Sequence, residues 1–413
     1  MGRRCGGHGG EAVAYCRRVS ADINIKSDSD KYNTLIFMQD EKLLMMPGPV
    51  PMPQRVRLAM SRQAINHRGK EFGECLEDLE RMLKPIFRTK NDIIILSGSG
   101  TAGMEAAVAN FCAKKKTASL INGKFGERLG KISKLYSDKA VAVESEWGQP
   151  LNLEQLKIEL ENGAQAVTLV HNETSAAIKN PAEEVGKLCR KYDALFIMDG
   201  ITSIGGDVVE TDAWGADVAI LGSQKCLAAP AGLSVLAVSD RAWERIAAWK
   251  PMYLDLEAYK KSAAKKETPY TPAVPLFFAL REACRIVEEE GLENRIARHR
   301  NMSAAVRAAG KAWGLELFPT LDKYHEYSNT VTAFKYPAGV DDAKLRDDVK
   351  KAGMEISGGQ DRLKGKIFRI GTMGATGPAE VMAVLGAVGK SLKAQGMKFD
   401  SCGLAAANEV FKY

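Results

Sequence analysis

The sequence predicts an α/β protein: a large domain with a mainly parallel sheet between helices, followed by a smaller α+β domain. Three observations carry this. Short apolar runs alternate with amphipathic helical stretches along most of the chain, the pattern of parallel strands buried on both faces and joined by helical crossovers. The 413 residues exceed the usual size of one domain and leave room for a second. Polar residues suited to chemistry recur just after the apolar runs, where an open parallel sheet presents its ligand crevice.

Residues 1 to about 40 are Gly-rich and basic at first, then polar, with the acids Glu11, Asp22, Asp28 and Asp30 and no apolar core of a secretory signal. They read as a disordered or appended tail, with the functional protein starting near Met38. Residues 41–65 form an N-terminal segment in which PGPVPMP at 47–53 is a rigid turn, and Pro53 suits the first turn of a helix. NHRGKEF at 66–72 reads as a polar loop before an amphipathic helix over 74–87, and opens the large domain, 66–290. His67 and Arg68 in that loop either stay at the surface or reach a ligand.

The stretch from Asp92 to Phe111 reads strand, glycine loop, helix. Gly98, Gly100 and Gly103 match the dinucleotide-binding spacing, but that reading requires an acid at the end of the next strand, and TASLI at 117–121 ends in Asn122 and Gly123. What survives is an anion cradle: Ser99, Gly100 and Thr101 lead into a helix N-terminus, which offers backbone N–H groups and the positive end of the dipole. Strands follow at 141–145 and 166–170, with a helix from Leu153 and another over 182–192. The strand at 166–170 ends in His171, Asn172, Glu173 and Thr174. The apolar run 194–198 then delivers Asp199, and the run 217–221 delivers Gly222, Ser223, Gln224 and Lys225, with Pro230 behind them. A helical run from 276 to about 309 leads into the small domain, 291–413. There TVTAFKY (330–336) and KIFRIGT (366–372) read as strands, with Gly358 and Gly359 in a loop between them.

An acid and a lysine that end two parallel strands point into one crevice. Pyridoxal phosphate chemistry uses such a pair: the lysine forms a Schiff base, and the carboxylate keeps the pyridine nitrogen protonated and the ring an electron sink. Either residue alone is more often a cap, a surface charge or half of an ion pair. The combination favours chemistry, because Lys225 sits between an apolar strand and a small-residue turn. The 58 basic and 51 acidic residues are interspersed, net +7, and the longest basic run is 114–116, so no nucleic-acid partner is expected. The eight cysteines are scattered with no CxxC pair, so neither a metal site nor a disulfide framework is expected, and a reducing, cytoplasmic compartment fits. No run approaches the roughly 18 apolar residues of a membrane span.

In order and spacing, PGPVPMP (47–53), SGSGTAGMEAA (97–107), NGKFGER (122–128), HNETSAAIKNP (171–181), MDGITSIGG (198–206), GSQKCLAAPAG (222–232), TPYTPAV (268–274) with LREA (280–283), and FRIGTMG (368–374) carry a resemblance. From about Leu43 to Lys393 the chain resembles the class V, fold-type I, pyridoxal phosphate-dependent aminotransferases, nearest their alanine:glyoxylate and serine:pyruvate group. The resemblance implies that Lys225 holds the cofactor and shuttles a proton, that Asp199 pairs with the pyridine nitrogen and that Thr174 bonds the phenolic oxygen. It implies that Ser99, Gly100, Thr101 and Gln224 bind the phosphate, with Thr271 and Tyr270 supplied by the neighbouring subunit of a homodimer. Phe125 takes the ring-stacking position, where a tryptophan is familiar, and Thr101 stands in place of a histidine. Arg369 falls where the substrate α-carboxylate binds, a task for a planar bidentate fork; its bland alternative is an ion pair inside the small domain.

The activity so implied is a ping-pong transfer of the amino group of alanine or serine to glyoxylate or pyruvate. Aspartate, ureidoglycine or an aminophosphonate are alternative donors. A cysteine desulfurase would carry histidine where this chain has Gln224, and a cysteine on a mobile loop, whereas Cys284 falls in a helix. A non-catalytic protein that merely keeps the fold is disfavoured by Asp199, Lys225 and Arg369 together. Gly48, Pro49, Val50, His67, Arg68, Gly359 and Gln360 are the candidates for reading the substrate, and Arg68 would suit an acidic side chain.

Overall fold

The apolar runs assemble into a seven-stranded sheet in the order Asp92–Ser97, Leu233–Val238, Val218–Gly222, Leu195–Asp199, Ala166–Val170, Lys116–Ile121 and Lys139–Glu144. The protein is seen in a computed structural model that describes residues 42–399 and 402–412. The expected N-terminal tail, residues 1 to about 40, lies outside the described residues. Six strands run parallel; Leu233–Val238 is antiparallel to both of its neighbours. That strand is an addition to the sequence reading. LSVLAV follows Gly222 through a short turn containing Pro230 and Gly232, which returns the chain as a hairpin where a helical crossover would otherwise be needed.

Side chains alternate across the central strands, so each strand feeds two cores. Val167, Leu169, Phe196 and Met198 pack with the helices Lys70–Phe87 and Val274–Glu290. Ala166, Val170, Leu195 and Ile197 pack with Gly100–Phe111 and Lys124–Tyr136 on the other face. Full burial on both faces is why these strands read as continuous apolar runs.

Three helix boundaries differ from expectation. The helix expected over 74–87 starts at Lys70, with Gly69 at its N-cap, so part of the presumed loop is helical. Pro53 sits at the N-cap of Gln54–Met60, one position before the first turn. The long run from 276 is two helices, Val274–Glu290 and Leu292–Ala312, broken at Gly291, whose φ of 80° suits a residue without Cβ. In the C-terminal part, Val331–Lys335 and Ile367–Gly371 pair antiparallel, and Gly358 belongs to a short strand, Ser357–Gly358, on the edge of that sheet. This puts the Gly358 carbonyl near Arg369. Among the described residues no helix is long and apolar enough to cross a membrane.

Candidate active site

Register brings the chemistry together. Asp199 pairs with Val170 on one side and Ile220 on the other, so the strand ends carrying Thr174, Asp199 and Lys225 lie side by side. Asp199 is 4 % exposed, and its Oδ1 accepts from the Ile201 N–H at 2.8 Å. Burial pushes its carboxyl up to about 7, with the charge of Glu173 adding to the rise and Lys225 and Arg128 opposing it. Lys225 Nζ donates to the Pro47 carbonyl at 2.6 Å. Burial pulls its ammonium down to about 8; Cys226 and Asp199 resist, while Arg369 and Arg128 reinforce the fall. Gly48, at φ +108°, presses against this side chain: a Cβ there would lie 2.5 Å from Nζ. Only glycine lets the N-terminal segment close over the lysine.

At the anion cradle, Ser99 is the N-cap of Gly100–Phe111; among the described residues its side chain makes no cap bond, while its carbonyl accepts from the Ala102 N–H at 2.7 Å, and the helix begins with the N–H groups of Gly100 and Thr101. Gly100 is wedged against Ile201, with 2.7 Å from a would-be Cβ to Cδ1. Thr101 Oγ1 accepts from Arg128 Nη1 at 3.1 Å, and that guanidinium lies 5.0 Å from the centre of the half-buried Phe125 ring. Among the described residues, Thr174 Oγ1 and Gln224 Oε1 are buried without hydrogen-bond partners. Such atoms cost about 1–3 kcal/mol each unless something pairs with them.

Arg369, 3 % exposed, donates through Nε and Nη2 to the Gly358 carbonyl (3.1 and 2.8 Å) and through Nη1 to the Thr174 carbonyl (2.9 Å). Among the described residues its hydrogen-bond partners are carbonyls and not carboxylates, so the ion pair considered from sequence is not what holds it. Burial pulls it down to about 10, with Glu173 acting the other way. This buried guanidinium can grip a carboxylate.

The other candidates have contacts of their own. Arg68 pairs with Glu267 at 3.0 Å, half exposed, and neighbouring His67 is half-buried. Tyr270 donates to the Met252 carbonyl at 2.7 Å and stacks on Tyr253, while Thr271 is exposed. Cys284 is fully buried inside Val274–Glu290, and burial pushes its thiol up to about 12, the opposite of a reactive cysteine. Sequence reasoning missed Arg128 and Glu173, although both lie inside motifs it quoted, NGKFGER and HNETSAAIKNP.

A family model described as "Aminotransferase class-V" matches residues 54–364. The chain belongs to the class-V aminotransferases. This aminotransferase is 44% identical over 378 residues to an uncharacterized aminotransferase of Methanocaldococcus jannaschii, covering 90% of this chain and 97% of the relative. It is 34% identical to a serine–glyoxylate aminotransferase of Methylorubrum extorquens, over 89% of this chain and 96% of that one. The crystal structure of a ureidoglycine–glyoxylate aminotransferase from Bacillus subtilis superposes with a TM-score of 0.83 at 33% identity, covering 90% of this chain and 98% of that one. Other relatives are named for aspartate or alanine with glyoxylate. The cofactor of the class-V aminotransferases is pyridoxal phosphate. The partnerless Thr174 Oγ1 and Gln224 Oε1, the uncapped helix N-terminus and the buried acid and lysine suit a small phosphorylated ring.

Proposed function

We propose that this aminotransferase moves the amino group of alanine or serine to glyoxylate or pyruvate. The observation that carries the reading is the pairing state of two arginines: among the described residues Arg369 is buried on carbonyl oxygens alone, while Arg68 pairs with Glu267. Arg128 lies at the phosphate cradle on Thr101 and is given to the phosphate, which leaves Arg369 for the substrate and suits a donor with one carboxylate; an aspartate-type donor needs a further guanidinium. Gly48 against Lys225 also narrows the space beside the lysine, which favours a small side chain.

When bound, pyridoxal phosphate supplies an aldehyde for amines to condense with and a ring that takes up the electron pair released at the substrate α-carbon. The chain supplies the rest. Lys225, held down to about 8, has a substantial neutral fraction near physiological pH, and its Nζ takes and returns the α-proton. Asp199 presents its buried carboxylate to the pyridine nitrogen. Thr174 Oγ1 would hold the cofactor by its phenolic oxygen, and Phe125 would offer its ring an apolar face. Ser99, Gly100, Thr101 and Gln224 hold the phosphate, and Arg369 orients the substrate by its carboxylate. A second copy of the chain completes the phosphate site with Thr271 and Tyr270, making a homodimer; the exposure of Thr271 in the single chain supports this.

The test is a half-reaction panel. Purified enzyme is mixed separately with alanine, serine, aspartate, ureidoglycine and an aminophosphonate while the cofactor's visible absorbance is followed. Rapid bleaching by alanine or serine, reversed by glyoxylate, supports the reading; bleaching by aspartate alone overturns the donor assignment and leaves the family intact.

A further inference from the structure

Glu173 is fully buried, yet its carboxylate is surrounded by donors. Oε2 accepts from the N–H groups of Phe125 and Gly126, both at 2.9 Å, and Oε1 accepts from the N–H (3.0 Å) and hydroxyl (2.6 Å) of Ser175. Each donor engages an oxygen lone pair, and four donors on two oxygens fit the ionised carboxylate. Burial raises the carboxyl above its usual range, and the four donors oppose that rise without cancelling it.

Phe125 and Gly126 open the helix Lys124–Tyr136, whose own N-cap, Gly123, has no side chain to cap with. It has no room for one: a Cβ at Gly123 would lie 2.3 Å from Cγ and Cδ of Glu173. The cap therefore comes from a strand end 48 residues further along the chain than Phe125. The next residue, Thr174, holds Arg369 through its carbonyl. The same carboxylate is the charge that acts on both Asp199 and Arg369.

We propose that Glu173 is a positioning residue that locks the Phe125 ring and the Arg369 guanidinium into one frame, so that the face covering the cofactor and the grip on the substrate carboxylate cannot shift separately. This rests on the roles given above to Phe125 and Arg369. The competing account is that Glu173 is a helix cap and nothing more. The two differ in what a cap restored from inside the helix repairs.

In Glu173→Ala the space beside Gly123 opens, with Ser175 Oγ, 2.7 Å from a Cβ there, still to swing aside, and adding Gly123→Ser supplies an in-helix cap that has no tie to Thr174. Three quantities are read: the apoprotein melting temperature, the dissociation constant for pyridoxal phosphate, and KM for the amino donor per bound cofactor. Glu173→Ala is expected to lower the melting temperature and to weaken both constants by about tenfold or more, the scale on which small misplacements act. Adding Gly123→Ser recovers the melting temperature while KM stays raised by about tenfold. Recovery of all three by the double variant overturns the proposal. Should Glu173→Ala not fold, Glu173→Gln serves: its amide oxygen keeps the helix bonds, but its NH2 faces the Ser175 donors. KM is then expected to rise by about tenfold while cofactor affinity changes less than about threefold, and an unchanged KM contradicts the proposal. Wild-type protein that takes up no cofactor defeats the reading beneath it instead.

Discussion

The two ends of the strands Leu195–Asp199 and Val218–Gly222 handle buried charge in opposite ways. At their N-terminal end, Asp217 accepts from the Phe196 N–H at 2.8 Å, from Arg241 at 2.6 Å and from the Ser239 hydroxyl at 3.1 Å. Arg241 continues to Asp193 at 2.9 Å, which Arg245 also holds at 2.7 Å. That network closes on itself. At the C-terminal end, Asp199 and Arg369 are buried as deeply and Lys225 partly so, but they rest on backbone groups: the Ile201 N–H and the carbonyls of Pro47, Gly358 and Thr174. Desolvated charges whose direct hydrogen-bond partners are backbone groups and not opposite charges are costly in a finished fold. Their presence at one end only marks where a charged ligand completes the structure, and their shifted protonation follows from the same cause.

The comparison can be broken at either end. Lys225→Ala should produce the largest effect, a loss of about a thousandfold or more in donor-driven conversion of the cofactor, as expected when a proton-transferring group is removed. Conversion within tenfold of wild type would remove Lys225 from the chemistry. Arg369→Gln should raise KM for alanine by about 10- to 100-fold with a smaller change in kcat, reflecting about 1.5–3 kcal/mol of charged hydrogen bonding lost.

The pH dependence sharpens the contrast. Lys225 must be neutral to attach the cofactor, and its ammonium is held down to about 8. Attachment to the apoprotein should therefore accelerate as pH rises through about 8 and then level off. Removing the Arg369 charge should move that midpoint upward, because Arg369 helps depress it. The same depression gives stability that is present above the ordinary lysine range and lost as pH falls through about 8. Stopped-flow absorbance across pH in both proteins checks the direction.

At the opposite end of the strands, Asp217→Asn should destabilise the fold by about 1–3 kcal/mol, because the buried side chain then turns an NH2 toward donors that the carboxylate accepted from, while Arg241 keeps Asp193. Denaturant melts measure that loss, and turnover per folded molecule should stay at the wild-type level. Arg68→Ala should do least. Its half-exposed pair with Glu267 is worth less than about 1 kcal/mol, and the ranking of amino donors should not change. A switch in donor preference would show that Arg68 reads the substrate.

Much of this architecture is legible in the sequence because a strand buried on both faces must be apolar throughout, and the residue that ends it must then explain itself. Asp199 and Lys225 stand out for that reason. The antiparallel strand Leu233–Val238 escapes, since LSVLAV behind a Pro and Gly turn has the composition of its parallel neighbours and periodicity does not report direction. The helix start at Lys70 is hidden because Gly69 caps without a side-chain signal. Glu173 could not be assigned for a stronger reason. A cap normally sits beside the helix it serves, and this one crosses from another strand into space that Gly123 leaves empty. Arg128 likewise meets Thr101 only through the fold.

The most direct test of the strand-end account is covalent trapping. Protein loaded with pyridoxal phosphate is reduced with borohydride, digested, and the reduced cofactor located by peptide mass spectrometry. The account requires the label on Lys225, and no stable label in Lys225→Ala. A label on another lysine, or none in the wild-type protein, would contradict it.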